Sequence, residues 1–152
     1  MKIGSKIKNF KAEMTGNKEF SLSDYLGKNV VIYFYPRDNT PGCTSEGEDF
    51  RDNYKFFRKK NTIIFGVSKD SITSHTNFKE KFNFPFELIS DPDEKICKIF
   101  DVIKEKSMYG KKYMGIERST FVIDPDGNLI KEWRGVKVPG HVEEVYSFIC
   151  QL

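Results

Sequence analysis

The sequence predicts an α/β fold, a central mixed β-sheet flanked by helices, in one domain spanning residues 1–152. Two observations carry the sheet. VVIYFY (Val30 to Tyr35) and TIIFGVS (Thr62 to Ser68) are continuous apolar runs rich in β-branched and aromatic residues, the signature of strands covered on both faces. A third carries the helices. Between these runs Phe50, Tyr54 and Phe57 recur at i, i+4 and i+7, one face of a helix. Buried strands alternating with amphipathic helices define the class.

The elements follow in order. Phe10, Ala12 and Met14 alternate with polar residues and run into Gly16-Asn17, a short strand and turn. Phe20, Leu22 and Leu26 lead to Gly27 and the first buried strand. The helix bearing Phe50 ends in Arg58-Lys59-Lys60, cations that suit a helix C-terminus. After the second buried strand, Asp70 or Ser71 caps a helix running to about Asn83. Phe86 to Ser90 is a short strand, and Asp93 caps a helix carrying Ile96, Ile99 and Phe100. Ser119–Ile123 and Asn128–Trp133 flank Asp124-Pro125-Asp126-Gly127, a hairpin signal. Val142, Val145, Tyr146 and Ile149 line one face of a last helix. The order β(β)αβαβαββα is compatible with a thioredoxin-like topology without being unique to it.

Bulk properties narrow the function. A chain of 152 residues, 38% hydrophobic and 31% charged, can bury one core and is not disordered. The net charge of +3 comes from lysines mixed with acids, a solvated surface rather than a nucleic-acid patch. MKIGSKIKNF has no long apolar core and no small-residue cleavage site, and no apolar run nears the roughly 18 residues of a membrane span. The expectation is a soluble, cytoplasmic protein without membrane or nucleic-acid partners. Three widely spaced cysteines, Cys43, Cys97 and Cys150, are no disulfide framework. With no CxxC and only two histidines, no metal site is expected. His75 and His141 read as surface or helix-start residues.

The chemistry concentrates in YFYPRDNTPGCTSE, Tyr33 to Glu46. Thr40 suits the N-cap, Pro41 position N1, and Cys43 then falls at N3. The positive end of a helix favours a thiolate over a thiol, and the thiolate is the nucleophile. A cation from elsewhere in the chain would complete such a pocket. On these features alone a reactive thiol and a buried packing cysteine both remain open.

The longer motifs resemble a known family. Pro36-x-x-x-Thr40-x-x-Cys43 matches the peroxiredoxin signature, and YFYPRDNTPGCTSE resembles the peroxiredoxin Q, or bacterioferritin comigratory protein, branch. GSKIKNF, LSDYLGKNVVIYFYP, GIERSTFVIDPDGNLI and KVPGHVEEV resemble that branch in the same order, so the likeness covers essentially the whole chain. It implies a thioredoxin-like fold and thiol-dependent reduction of hydrogen peroxide and organic hydroperoxides, without metal, flavin or other cofactor. By motif, Cys43 is the peroxidatic cysteine, Thr40 hydrogen-bonds the peroxide, and Pro36 shields the sulfur. Arg118, in ERSTF, is the missing cation, and Glu46 holds it in place. Each has a plainer reading: Pro36 ends a strand, Thr40 caps, Arg118 is an exposed strand charge, Glu46 complements a helix N-terminus.

The pattern also departs from the family. Many relatives carry a resolving cysteine five residues after the peroxidatic one, where this chain has Glu48; others carry it about 36 residues on, where this chain has Lys79. Cys97 and Cys150 read as packing residues beside apolar helix faces. The expectation is one-cysteine behaviour, with thioredoxin, glutaredoxin or glutathione as reductant, in a monomer. The alternatives are a peroxide-sensing redox binding module with low turnover, a thiol–disulfide oxidoreductase, which would want CxxC, and a chaperone-like role after overoxidation.

Overall fold

A computed structural model describes residues 1–152. Seven strands form one mixed sheet in the order β2-β1-β5-β4-β3-β8-β9: β1 (Lys11–Met14), β2 (Lys18–Ser21), β3 (Asn29–Phe34), β4 (Thr62–Ser68), β5 (Glu87–Ser90), β8 (Ser119–Ile123) and β9 (Leu129–Arg134). β3, β4 and β5 are parallel neighbours, while β8 runs antiparallel to β3 and β1 antiparallel to β5. The helices are α1 (Pro41–Lys59), α2 (Ile72–Phe82), α3 (Lys95–Ile99) and α4 (His141–Cys150), with a single 3-10 turn at Leu22–Tyr25.

Side chains alternate across a strand, so β3 sorts the core into two layers. Val30, Ile32 and Phe34 face one cluster, with Phe65, Phe121, Cys97 and Phe100. Val31, Tyr33 and Tyr35 face the other, with Cys43, Phe50, Phe57, Phe78 and Val145. Helices α1, α2 and α4 therefore cover one face and α3 the opposite one. All six β3 residues are buried, and each apolar side chain there contributes roughly 1.5–3 kcal/mol. Cys43 and Cys97 belong to opposite faces of this sheet.

Four details depart from the expectations. Residues 103–116, assigned no element from the sequence, form a separate hairpin of β6 (Ile103–Met108) and β7 (Lys111–Ile116). Its turn residues, Tyr109 and Gly110, both have positive φ, the type I′ geometry. Asp93 does not cap α3. Glu94 occupies the N-cap in a left-handed conformation, and the Asp91 carboxylate instead accepts from the backbone N–H of Ile96 and Cys97 at 3.1 and 2.8 Å. His75 is not a surface residue: it is fully buried within α2, while His141 opens α4 and is also buried. Cys150 is not packed but exposed at the end of α4. Of the two caps considered for α2, Ser71 serves, its hydroxyl accepting from Ser74 N–H.

Candidate active site

The loop after β3 turns through Pro36–Thr40 and launches α1, with Pro41 in its first turn and Cys43 at the third helical position. Thr40 has the extended backbone of an N-cap, but its hydroxyl does not cap. It donates to the Arg37 carbonyl at 2.9 Å, so its lone pairs stay free as acceptors. Cys43 is more enclosed than a helix-start position implies, at 1% exposure.

Arg118 arrives from the other side of the chain, in the short link between β7 and β8, where its carbonyl accepts from Val136 N–H. Its Nη2 donates to Cys43 Sγ at 3.4 Å, and its Nη1 donates to Glu46 Oε1 at 2.7 Å. The guanidinium thus bridges sulfur and carboxylate across 75 residues of sequence. Gly42 makes room for it: a Cβ there would sit 3.1 Å from Nη2. Gly47, a turn further along α1, is needed for a similar reason, because a Cβ would come within 2.4 Å of the Phe84 ring packed against the helix.

Glu46 is fully buried, and its Oε2 has no hydrogen-bond partner in the protein. Burial raises its carboxyl to about 7 against the opposing pull of Arg118. Burial also works against the Arg118 charge, but Glu46 and the Cys43 sulfur outweigh it and hold the guanidinium above its ordinary pKa. The site is thus a partly buried cation between two groups that both gain from its charge.

A groove of about 570 Å³ opens beside Pro36 and Thr40, walled by Lys106, Met108, Tyr113 and Met114 of the β6–β7 hairpin. Burial, and secondly Arg118, pull the Lys106 ammonium below the ordinary lysine pKa. Sequence reading missed Lys106 because it missed the hairpin; the Tyr109-Gly110 pair between lysine-flanked segments was the available signal. A groove of about 640 Å³ across the molecule, lined by Ile7, Phe10 and Ile99, touches none of these residues.

Of the five motif residues, Cys43, Arg118 and Glu46 are therefore in contact, while Thr40 and Pro36 precede Cys43 in the loop and line the groove of about 570 Å³. The remaining cysteines do not join them. Cys97 is buried on the far face of the sheet, where burial, then its hydrogen bond to Asp91 and the Asp91 charge, push its thiol well above the ordinary value. Cys150 lies beyond the other end of α1. His141 packs edge-on to Phe50 and Tyr146 packs on Phe57, so α4 runs alongside α1 and carries Cys150 away from Cys43. Fourteen residues separate Cys43 from Phe57, roughly 20 Å of helix.

A cysteine sulfur held against a guanidinium at a helix start, on a thioredoxin-like sheet, defines the class: a cysteine-based peroxidase, an oxidoreductase. Comparisons with known proteins agree. The model of the AhpC/TSA family matches residues 3–132. Peroxiredoxin Bcp of Bacillus subtilis is 51% identical over 144 residues, covering 95% of this chain and 92% of that one. A mutant of Xylella fastidiosa PrxQ superposes with a TM-score of 0.95 at 45% identity, covering 99% of this chain and 96% of that one. The bacterioferritin comigratory protein of Xanthomonas campestris, solved as a trapped intermediate/ligand complex that bears on its alkyl peroxide reduction, superposes at 0.89 with 47% identity over 93% and 90% of the two chains. The chain belongs to the AhpC/TSA family, in its Bcp, or peroxiredoxin Q, branch.

Proposed function

We propose that Cys43 is the peroxidatic nucleophile of a thiol peroxidase that reduces hydrogen peroxide and organic hydroperoxides. The observation that carries this reading is the Arg118 bridge, 3.4 Å to the Cys43 sulfur and 2.7 Å to Glu46. The thiolate attacks one peroxide oxygen along the O–O axis. An S–O bond forms, the O–O bond breaks, and the electron pair leaves with the second oxygen as water or an alcohol once protonated. Negative charge moves from sulfur to the departing oxygen, and Arg118 is the fixed donor positioned to follow it. Thr40, with its hydrogen committed to Arg37, accepts a hydrogen bond from the incoming hydroperoxide. Pro36 keeps bulk water from the sulfur, and Glu46 orients the guanidinium. The alkyl peroxide reduction of the Xanthomonas relative supports organic hydroperoxides as substrates.

The product is a Cys43 sulfenic acid. Placement of Cys97 beyond the sheet and of Cys150 beyond α1 supports one-cysteine recycling, because Cα atoms more than about 7 Å apart cannot be bridged without movement. An external thiol condenses with the sulfenic acid and releases water. A second thiol then splits the mixed disulfide and restores the thiolate. Thioredoxin, glutaredoxin or glutathione fits this role, in a cytoplasmic monomer. No helix is long and apolar enough to cross a membrane.

Stopped-flow measurement of peroxide consumption with each of the three donors tests the reading. Donor-dependent turnover in the parent and none in Cys43→Ser is the expected result. Turnover surviving in Cys43→Ser would overturn it. Stoichiometric oxidation without turnover would favour the sensing module.

A further inference from the structure

The mechanism leaves unused a second buried polar cluster, directly behind the loop that carries Pro36 and Thr40. Its centre is Asp38, 6% exposed, and His75, 0% exposed. Asp38 Oδ1 accepts from the Tyr35 hydroxyl at 2.6 Å. Asp38 Oδ2 accepts from the Ser74 hydroxyl at 2.8 Å and meets His75 Nδ1 at 2.7 Å. The other ring nitrogen, Nε2, lies 2.9 Å from the Ile89 carbonyl of β5. The backbone N–H of Asp38 donates to Asp70 Oδ2 at 2.9 Å.

Hydrogen-bond accounting assigns the protons. A carbonyl oxygen only accepts, so Nε2 carries a hydrogen. A bare Nδ1 would then turn its lone pair toward a carboxylate oxygen at 2.7 Å, a repulsive contact. A proton therefore lies between Nδ1 and Asp38 Oδ2, and the contact is a hydrogen bond. Asp38, Asp70 and His75 each offer one ligand atom within 4.8 Å of one another, the spacing of a metal site. Protein hydrogen bonds already use both His75 nitrogens and both Asp38 oxygens, so the cluster binds protein rather than metal.

The cluster joins three elements. Tyr35 directly follows β3, Asp38 sits in the loop, His75 and Ser74 belong to α2, and Ile89 belongs to β5. That loop has few other restraints: Asn39 sits at φ 62, and Arg37 and Asn39 are exposed. We propose that Asp38 and His75 are positioning residues for the reaction at Cys43, a hydrogen-bonded latch that fixes the Pro36–Thr40 loop onto α2 and β5. The latch sets where the Thr40 hydroxyl and the first turn of α1 meet the incoming peroxide. It rests on the reading of Cys43 as the nucleophile.

Three variants of the full-length chain separate this role from plain packing. In His75→Asn the amide nitrogen takes the place of Nδ1 and keeps the bond to Asp38. In His75→Gln the amide nitrogen takes the place of Nε2 and keeps only the bond to Ile89. Asp38→Asn replaces one accepting oxygen with an amide donor. With hydrogen peroxide as probe, His75→Gln and Asp38→Asn should react about 10-fold or more slowly, while His75→Asn stays within about threefold of the parent. Proton and nitrogen-15 spectra of the parent should show a slowly exchanging, strongly downfield proton in the contact between His75 Nδ1 and Asp38. A folded His75→Gln reacting at the parental rate, His75→Asn falling as far as His75→Gln, or absence of that proton would each overturn the latch. The spectra need no peroxidase activity, so an inactive parent would sink the reading of Cys43 alone and a missing proton the latch alone.

Discussion

Cys43 and Cys97 are the same residue at nearly the same burial, 1% and 0% exposed, yet their surroundings are opposite. Cys43 has a guanidinium at 3.4 Å and the positive end of α1 behind it. Cys97 has a carboxylate, Asp91, whose oxygens cap α3 and whose charge opposes thiolate formation. Burial alone disfavours any buried anion. What separates the two sulfurs is the partner across the contact, a guanidinium for Cys43 and a carboxylate for Cys97.

The comparison breaks most sharply by deletion. Cys43→Ser should lower peroxide consumption about 1,000-fold or more, while Cys97→Ala leaves the rate unchanged and costs about 1 kcal/mol of stability. Stopped-flow assay and denaturant unfolding of the two variants measure both sides. Loss of turnover in Cys97→Ala would end the contrast. Next in size, Arg118→Ala should slow oxidation of Cys43 by about 100- to 1,000-fold, the usual cost of removing a preorganised charge donor. A parental second-order rate constant in that variant would show that the guanidinium does not distinguish the two sites.

Glu46 sharpens the comparison through pH. Its folded pKa, about 7, lies above the ordinary 4.5, so the folded chain binds this proton more tightly than the unfolded chain. The associated stability is complete below 4.5 and is lost as pH rises through about 7. Unfolding free energy of the parent should therefore fall relative to Glu46→Gln over that window, by on the order of 1–3 kcal/mol. A gap between the two proteins that does not change from pH 5 to pH 8 would contradict it. The smallest effect belongs to the other cysteine's partner. Asp91→Ala removes the α3 cap and should cost about 1 kcal/mol without changing the peroxidase rate.

Legibility followed the physical signal. Strands β3 and β4 were plain because both faces are buried, so nearly every residue is apolar. Hairpin β6–β7 was not, because its strands are half-buried or exposed and charged, which erases the alternation that marks a strand. Local helix-start chemistry singled out Cys43 but left a reactive thiol and a packing cysteine both open, and Arg118 came from family resemblance. Their contact across 75 residues was not, since nothing local in ERSTF says which way the guanidinium turns. The histidines misled for a related reason. A lone histidine in a polar helix reads as surface, and only the fold brings Asp38 and Ile89 to the two nitrogens of His75. Sequence distance favours Asp93 over Asp91 as a cap, because it is the nearer acid. The backbone instead turns left-handed at Glu94 and hands the task to Asp91.

The alternation of β3 reaches into kinetics. Under the proposed one-cysteine recycling, with the spare thiols behind a sheet or past a helix end, every exit from the oxidised state is a collision. The lifetime of the sulfenic acid should shorten in direct proportion to donor concentration, with no first-order ceiling, and should lengthen as donors run out. Such a protein keeps time by the supply of reducing equivalents around it.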